Sequence, residues 1–252
     1  MVRFVVLAAP RTGSNWLCSL LDSHPEVVCH HELFNPERIL YAVSCRAGVA
    51  GGLDRDAFGT VAARDADPLG FLRRVWREGS LGRPIVGFKL NRGQQPRVFA
   101  EVLADRRIRK LLLRRRNRLK TYVSEEIALR TEVWESYEWS RPAAAPGERP
   151  RIEVPLDDLA RHIARNDGYY RELRRGLEGQ GYLELDYESL GDPRQHVRAL
   201  AFLGAREPEI PLQGATRKMN PCDLRELVAG YDELAAALRG TELADELSDP
   251  GP

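Results

Sequence analysis

The sequence predicts an α/β fold: a mostly parallel sheet with helices on both faces, three layers in all. Three observations carry this. Short strand candidates recur at 4–8, 26–29, 84–90, 108–113 and 182–187, the first of them an apolar run rich in β-branched residues. The stretches between most of them carry the spacing of amphipathic helices. The first run passes through a tight turn directly into such a helix, a P-loop-like strand-loop-helix at the N-terminus. Strands alternating with helices pair in parallel in a sheet covered on both faces.

Taken in order, residues 4–8 are long enough for a buried strand and too short for a core helix. Residues 10–15 form a turn of small and hydroxyl side chains. Trp16, Leu17, Leu20 and Leu21 then fall on one helix face, stopped by His24-Pro25. Residues 26–29 give a second strand and residues 30–34 the loop leaving it. The stretch 37–66 is mixed, and Gly48, Gly51 and Gly52 suggest a mobile excursion. Asp67-Pro68 opens a helix with Leu69, Leu72, Val75 and Trp76 on one face. After the third strand, a helix at 96–104 leads to the fourth. That strand ends in Arg114-Arg115-Arg116-Asn117, and a helix through Tyr122, Ile127 and Leu129 follows.

Residues 137–151, with Arg141-Pro142-Ala143-Ala144-Ala145-Pro146-Gly147, are a breaker-rich loop, to be read as a lid or as a linker. Leu156, Leu159, Ile163, Tyr170, Leu173 and Leu177 mark a long amphipathic helix ended by Gly179 and Gly181. The fifth strand, a helix at 193–203 and a last helix at 221–238 complete the chain, which has no internal repeat.

A length of 252 residues suits one domain over 1–252 with a single sizeable core. A hydrophobic share of 43% with 30% charged residues is ordinary for a soluble globular protein, and the formal net charge of +1 argues against a global nucleic-acid footprint. The average hides sorting: residues 106–120 are strongly basic and the tail from Glu242 is acidic. No signal-peptide pattern opens the chain and no apolar run reaches about 18 residues. Cys18, Cys29, Cys45 and Cys222 have neither metal-site spacing nor disulfide-scaffold density, so reduced thiols in a cytoplasmic protein are expected. Cys29-His30-His31-Glu32 looks like a ligand run, but neighbours on an extended segment point to opposite faces and no second pair follows. No metal is expected there.

The turn at 10–15 offers backbone N–H groups at a helix N-terminus, a setting that suits a phosphate or sulfate. Arg11 adds a charge, and Thr12 and Ser14 add hydroxyl donors. The loop lacks the longer glycine frame and the Lys-Ser/Thr ending of a Walker A motif, so a magnesium nucleoside triphosphate is not its obvious ligand. An ordinary βα turn that needs Gly13 only for its backbone angle fits the same residues. Ligands of such sheets bind outside the carboxyl ends of the strands. Arg11, Glu32, Lys89 and Arg116 all fall at or just beyond such ends.

The pair formed by Pro10-Arg11-Thr12-Gly13-Ser14-Asn15-Trp16 and Arg116-Asn117-Arg118-Leu119-Lys120-Thr121-Tyr122-Val123-Ser124 resembles the two nucleotide-binding motifs of sulfotransferases that use 3′-phosphoadenosine 5′-phosphosulfate (PAPS). The stretch from His24 to Glu32 is similar to the glutamate-bearing segment of the tyrosylprotein and trehalose-type carbohydrate sulfotransferases. The segments 185–190, 202–204 and 217–221 are similar to the C-terminal half of bacterial carbohydrate sulfotransferases, so the resemblance spans most of the chain. It implies that Arg11, Thr12, Gly13, Ser14, Asn15 and Trp16 hold the phosphosulfate, and that Arg116 and Ser124 hold the 3′-phosphate. It also implies that Glu32 is the general base, with Arg217 and Lys218 as further nucleotide contacts.

Two departures stand out. Arg118 occupies a position that is often proline in the family, and Met219 follows Arg217-Lys218 where glycine is usual, so a solvated basic turn reads Arg217 and Lys218 equally well.

Sulfuryl transfer needs charge stabilisation on the leaving phosphate and a base for the acceptor proton. Arg11 and the loop amides can supply the first. Glu32 can supply the second, with His31 as the competing base. Lys89 either stabilises the leaving group or caps its strand. The reading that follows is a cytoplasmic enzyme with PAPS as co-substrate, 3′,5′-adenosine bisphosphate (PAP) as product, no metal, and a carbohydrate or small-metabolite hydroxyl as acceptor. The resemblance allows a homodimer, without an interface signature in the chain, and implies no nucleic-acid partner. The alternatives are a kinase-like phosphoryl-transfer enzyme and, outside enzymes, an RNA-binding module built on the basic run.

Overall fold

The structure is a computed structural model that describes residues 1–45, 57–137 and 150–248. Five strands, β1 (Val2–Ala8), β2 (Val27–His30), β3 (Ile85–Asn91), β4 (Ile108–Arg114) and β5 (Tyr182–Asp186), form one sheet in the order β2-β3-β1-β4-β5. Every pairing is parallel. The five runs read from sequence are thus the five strands, with ends moved by one or two residues.

Side-chain alternation along the central strand divides the core in two. Val5 and Leu7 join Val86, Phe88 and Leu112 on one face. That face is covered by α3 (Pro68–Glu78), α4 (Pro96–Ala104) and α6 (Leu156–Gly176). Phe4, Val6 and Ala8 join Leu111, Leu113, Leu183 and Leu185 on the other, under α1 (Ser14–Asp22) and α7 (Pro193–Leu203). A third cluster lies off the sheet and packs α5 (Arg118–Thr131) against Ile152, Leu224, Leu227, Val228 and α8 (Tyr231–Leu238).

The last helix is shorter than the periodicity predicts. Residues 224–226 make a single 3₁₀ turn capped by Asp223, and α8 begins only after Gly230, whose φ of 66° breaks the helix. In the stretch read as mixed, α2 (Val61–Ala66) forms, with the Thr60 hydroxyl accepting from the Ala63 N–H. The glycine patch at 48–52 lies outside the described residues, as does most of the breaker-rich loop at 137–151.

The short helix α2 matters for the site because it carries Arg64, a side chain only 2% exposed. Its guanidinium donates to the carbonyl oxygens of Leu33 (3.0 Å), Asn35 (2.7 Å) and Arg38 (3.1 Å). One buried cation therefore shapes the loop that leaves β2 and holds Glu32. Arg64→Met would strip three carbonyls of their donor, and we predict a loss of about 2–4 kcal/mol in stability. The urea midpoint should fall at unchanged m; a midpoint matching the parent would refute the clasp.

Candidate active site

The chain leaves β1 through a strained turn. Arg11 has φ 63° and Gly13 φ 81°, both left-handed, and a non-glycine residue there costs about 1–2 kcal/mol. The turn is braced from behind. The Thr12 hydroxyl donates to the Ala9 carbonyl (2.9 Å), and the Ala9 N–H donates to the Tyr170 hydroxyl (3.1 Å), which donates in turn to the Leu113 carbonyl (2.6 Å). Thr12 is thus spent on the loop itself and does not line the cleft in front of it.

That cleft measures about 410 Å³ and lies outside the carboxyl ends of the strands. Arg11, Gly13, Ser14, Asn15, Trp16, Glu32, Lys89, Ser124, Arg217 and Lys218, all singled out from sequence, line it. Its size is that of an ordinary small-ligand pocket.

Arg11 crosses the cleft floor. Its Nε donates to the Ser124 Oγ (3.0 Å), Nη1 to the Trp134 carbonyl, and Nη2 to the Met219 sulfur (3.4 Å). Burial and the nearby Arg115 charge bring its pKa down to about 10, which still leaves a cation at neutral pH. Ser124 also accepts from the Asn220 amide (3.3 Å), so the serine two turns into α5 is tied to both the first loop and the C-terminal segment.

At the other end Lys89, buried at the end of β3, forms an ion pair with Glu32 (2.7 Å) and donates to the Asn15 side-chain oxygen. Glu32 also accepts from Gln94 (2.7 Å) and Asn35 (3.0 Å). Burial alone would raise the Glu32 pKa, but the Lys89 charge and these donors outweigh it and hold the group at about 2. His31 is fully buried and does not line the cleft. Its Nδ1 lies 3.3 Å from both the Asn15 oxygen and the Tyr137 hydroxyl, an arrangement served by the tautomer with the proton on Nδ1. Of the two bases read from sequence, Glu32 lines the cleft and His31 does not.

Arg116 is not brought to this cleft. Its exposed guanidinium lies 3.7 Å from Asp186 and 3.6 Å from Glu188, and it lines a separate cavity of about 420 Å³ with Thr12, Arg114, Arg171 and Arg174. The cause is Glu188, whose carboxylate accepts from the backbone N–H of Arg116 (3.0 Å) and of Asn117 (3.1 Å). Instead Arg115, given no role by the sequence motifs, lines the cleft with its guanidinium 4.7 Å from the centre of the Tyr187 ring.

Sequence reasoning also passed over Lys120 and Glu135. Lys120 is buried one helical turn before Ser124, a spacing that places both on one helix face and could have found it. Glu135 accepts from the Asn15 amide (3.2 Å) and the Tyr137 hydroxyl (2.7 Å), and nothing in its local pattern distinguishes it. Arg217 and Lys218 are placed by the antiparallel bridge of Thr216 with Tyr137 and by the Arg217 N–H, which donates to the Ser136 carbonyl (3.0 Å). Among the described residues no group of three or more His, Cys, Asp or Glu could hold a metal ion, and no helix is long and apolar enough to cross a membrane.

A parallel α/β sheet with a cation-lined cleft at its strand ends, opening on a helix N-terminus, defines a site for a polyanionic small molecule. No family model matches the chain. Over 236 residues it is 27% identical to nodulation protein H of Rhizobium meliloti (strain 1021), covering 92% of this chain and 89% of that one. A sulfotransferase from Alicyclobacillus acidocaldarius overlays with a TM-score of 0.47 at 20% identity, covering 98% of this chain and 92% of that one. Mouse sulfotransferase SULT7A1 complexed with PAP overlays at 0.45 and 13% identity, with coverage of 98% and 87%.

Two predictions come from this geometry. A Cβ on Gly13 would stand 2.2 Å from the Tyr187 ring, so Gly13→Ala should cost more than its left-handed strain of about 1–2 kcal/mol. In a Tyr187→Ala background only the strain should remain. Equal costs in both backgrounds, read by chemical denaturation, would remove the contact from the account.

The second concerns acid. Glu32 sits at about 2 in the folded chain against an ordinary 4.5. A depressed carboxylate contributes stability that is complete above pH 4.5 and is lost as pH falls toward 2. Glu32→Gln should therefore flatten the fall in urea midpoint between pH 5 and pH 2.5. A parallel fall in the variant would show that the pair contributes nothing there.

Proposed function

We propose that this protein transfers a sulfuryl group from PAPS to a hydroxyl of a carbohydrate or small metabolite. The observation that carries the reading is charge. Among the described residues the cleft is lined by six cations, Arg11, Lys89, Arg115, Lys120, Arg217 and Lys218, against two carboxylates, Glu32 and Glu135. That surplus of four matches a ligand with two phosphate-type groups, each carrying about −1.5 to −2 at neutral pH. A 5′-monophosphate would leave half of it unanswered. The motif pair at 10–16 and 116–124, with its resemblance to PAPS-binding sequences, gives the bisphosphate its identity.

In this reading the α1 N-terminus, Arg11, Gly13, Ser14, Asn15 and Trp16 hold the phosphosulfate, with Thr12 bracing the loop. Ser124, Arg217 and Lys218 face the 3′-phosphate. Arg116 would have to leave Asp186 and Glu188 to join them. The acceptor oxygen attacks sulfur, the bond from sulfur to the bridging oxygen breaks, and the nucleotide phosphate leaves with the electron pair. Lys89 and Arg11 face the charge that develops there. Glu32 takes the acceptor proton. With Lys89 at 2.7 Å it is a weak base. Once Lys89 turns to the leaving phosphate, the interaction that depresses Glu32 weakens and its basicity rises.

The RNA-binding reading finds less support, because much of the basic run is engaged internally. Arg109 donates to the Phe202 carbonyl, Arg114 pairs with Asp186, and Arg118 pairs with Glu242 and Glu246.

A thermal-shift comparison tests the class. PAP should raise the melting temperature well above any effect of 5′-AMP or Mg-ATP; stabilisation by Mg-ATP alone would transfer the protein to phosphoryl chemistry. Glu32→Gln should retain PAP binding while transfer to a disaccharide such as trehalose, followed by mass spectrometry, falls by about 10²–10⁴. His31→Gln, turning over normally, is the control. Normal turnover by the Glu32 variant would remove it as the base.

A further inference from the structure

We infer that Asn91 reads the acceptor: its side-chain oxygen takes a hydrogen bond from a hydroxyl next to the one that is sulfated, so the site selects paired hydroxyls over isolated alcohols. The inference rests on the sulfuryl-transfer reading above and adds to it a contact on the acceptor side.

Position gives the first argument. Along β3, Val86, Phe88 and Leu90 pack in the cluster under α3, α4 and α6, and Ile85 in the cluster under α1 and α7. The alternation sends Lys89 and Asn91 to the α1 side together, and both line the cleft. In the sheet β3 lies between β2 and β1, so its end is flanked by the loop that carries Glu32 and the turn that carries Arg11. Asn91 is the strand partner of Ala8, the last residue of β1. Its backbone is fixed by Gln94: the Asn91 N–H donates to the Gln94 side-chain oxygen (3.0 Å), and the Asn91 carbonyl accepts from the Gln94 N–H (3.1 Å). The amide nitrogen of the same glutamine side chain donates to Glu32 (2.7 Å). One side chain thus joins Asn91 to the carboxylate that takes the acceptor proton.

Hydrogen-bond accounting gives the second. Asn91 is 9% exposed, and among the described residues that line the cleft it alone has a side-chain oxygen buried with no hydrogen-bond partner. The oxygens around it are engaged: that of Asn15 by Lys89, that of Ser124 by Arg11 and Asn220, and those of Glu32 by Lys89, Asn35 and Gln94. A buried acceptor in that state calls for a donor.

The chemistry of the two substrates decides which of them supplies it. Ionised phosphate and sulfate groups present acceptor oxygens only, and the donors of the nucleotide, on ribose and adenine, lie beyond the phosphate from the group being transferred. The hydroxyls of the acceptor are therefore the donors that come to Glu32. The reacting hydroxyl has a single proton, and Glu32 takes it. The donor to Asn91 is a second hydroxyl, close to the first because one glutamine spans Glu32 and Asn91. An isolated alcohol leaves the Asn91 oxygen covered and unpaired, and a site built around a hydrogen bond rejects the analogue that lacks it more strongly than an apolar pocket rejects a missing methylene.

Transfer to trehalose, to its monodeoxy analogues and to cyclohexanol, followed by mass spectrometry, tests this on the full chain and on Asn91→Leu, which keeps the volume and removes both polar atoms. Calorimetry with PAP comes first on both. In the parent, kcat/KM should fall about 10–100-fold when the hydroxyl beside the sulfated position is removed, and less than about threefold when a remote one is. In Asn91→Leu the larger ratio should shrink to about threefold or less, with PAP affinity within about threefold of the parent and a melting temperature no lower. A parent that sulfates cyclohexanol as readily as trehalose overturns the inference. So does an Asn91→Leu variant that loses activity on every acceptor by the same factor, or that melts below the parent, since either makes Asn91 a support of the fold. If the parent does not bind PAP, the sulfuryl-transfer reading falls first, a result obtained before any acceptor is added.

Discussion

The buried ammonium of Lys89 is the interaction on which the rest of the site depends. It stands two residues before the end of β3, 2% exposed, where a buried polar group needs hydrogen-bonding partners. Glu32 and the Asn15 oxygen meet that requirement, and in doing so they fix the distance between β2's exit loop and the N-terminus of α1. Asn15 passes the constraint on through its amide to Glu135, which brings the segment at 134–137 over the cleft. A buried pair of this kind adds little net stability, because desolvation consumes much of the Coulombic gain. Its worth lies in geometry and in a carboxylate whose basicity is set by where one lysine points.

Arg11 does the equivalent work at the other end. From a left-handed position in the turn it reaches α5, the segment at 134 and Met219 in the C-terminal stretch. The third hydrophobic cluster therefore has a function beyond packing. By seating α5 against Ile152, Leu224 and Val228 it sets the position of the wall that Arg11 must touch. The strain at Arg11 and the close approach of Tyr187 to Gly13 belong to one arrangement, in which the loop is held by its neighbours and not by its own propensity.

Most of the fold was legible because buried parallel strands leave a clear sequence trace, largely apolar in β1 to β3 and alternating in β5. The loop at 10–15 and the positions of Glu32 and Lys89 followed from the rule that ligands gather at strand ends. What escaped did so for definite reasons. Arg64 gives no local sign that it clasps three carbonyls around residue 35. The break at Gly230 was hidden because its neighbours keep a helical spacing. Glu135 enters through Asn15, a contact 120 residues away in sequence. Arg115 and Arg116 could have been told apart, since Leu111 to Leu113 already declare the parity of β4, but a motif read as a string of letters does not carry that parity.

The same alternation sorts the arginines at 114–116, of which Arg115 alone lines the cleft. Basic residues at successive positions of β4 and its extension go to opposite sides of the sheet. On the α6 side β5 offers carboxylates in register: Asp186 is the strand partner of Arg114, and Glu184 pairs with Arg174. The N-terminus of α5 is answered by Glu246, which accepts from the Leu119 N–H and from Arg118. Two carboxylates of the acidic tail, Glu242 and Glu246, are thus spent on Arg118. On the cleft side Glu32 is already committed to Lys89, and Glu135 accepts from the neutral donors Asn15 and Tyr137. The arginine run is thus divided by the two-residue period of a strand, with Arg114 and Arg116 meeting Asp186 and Arg115 lining the cleft.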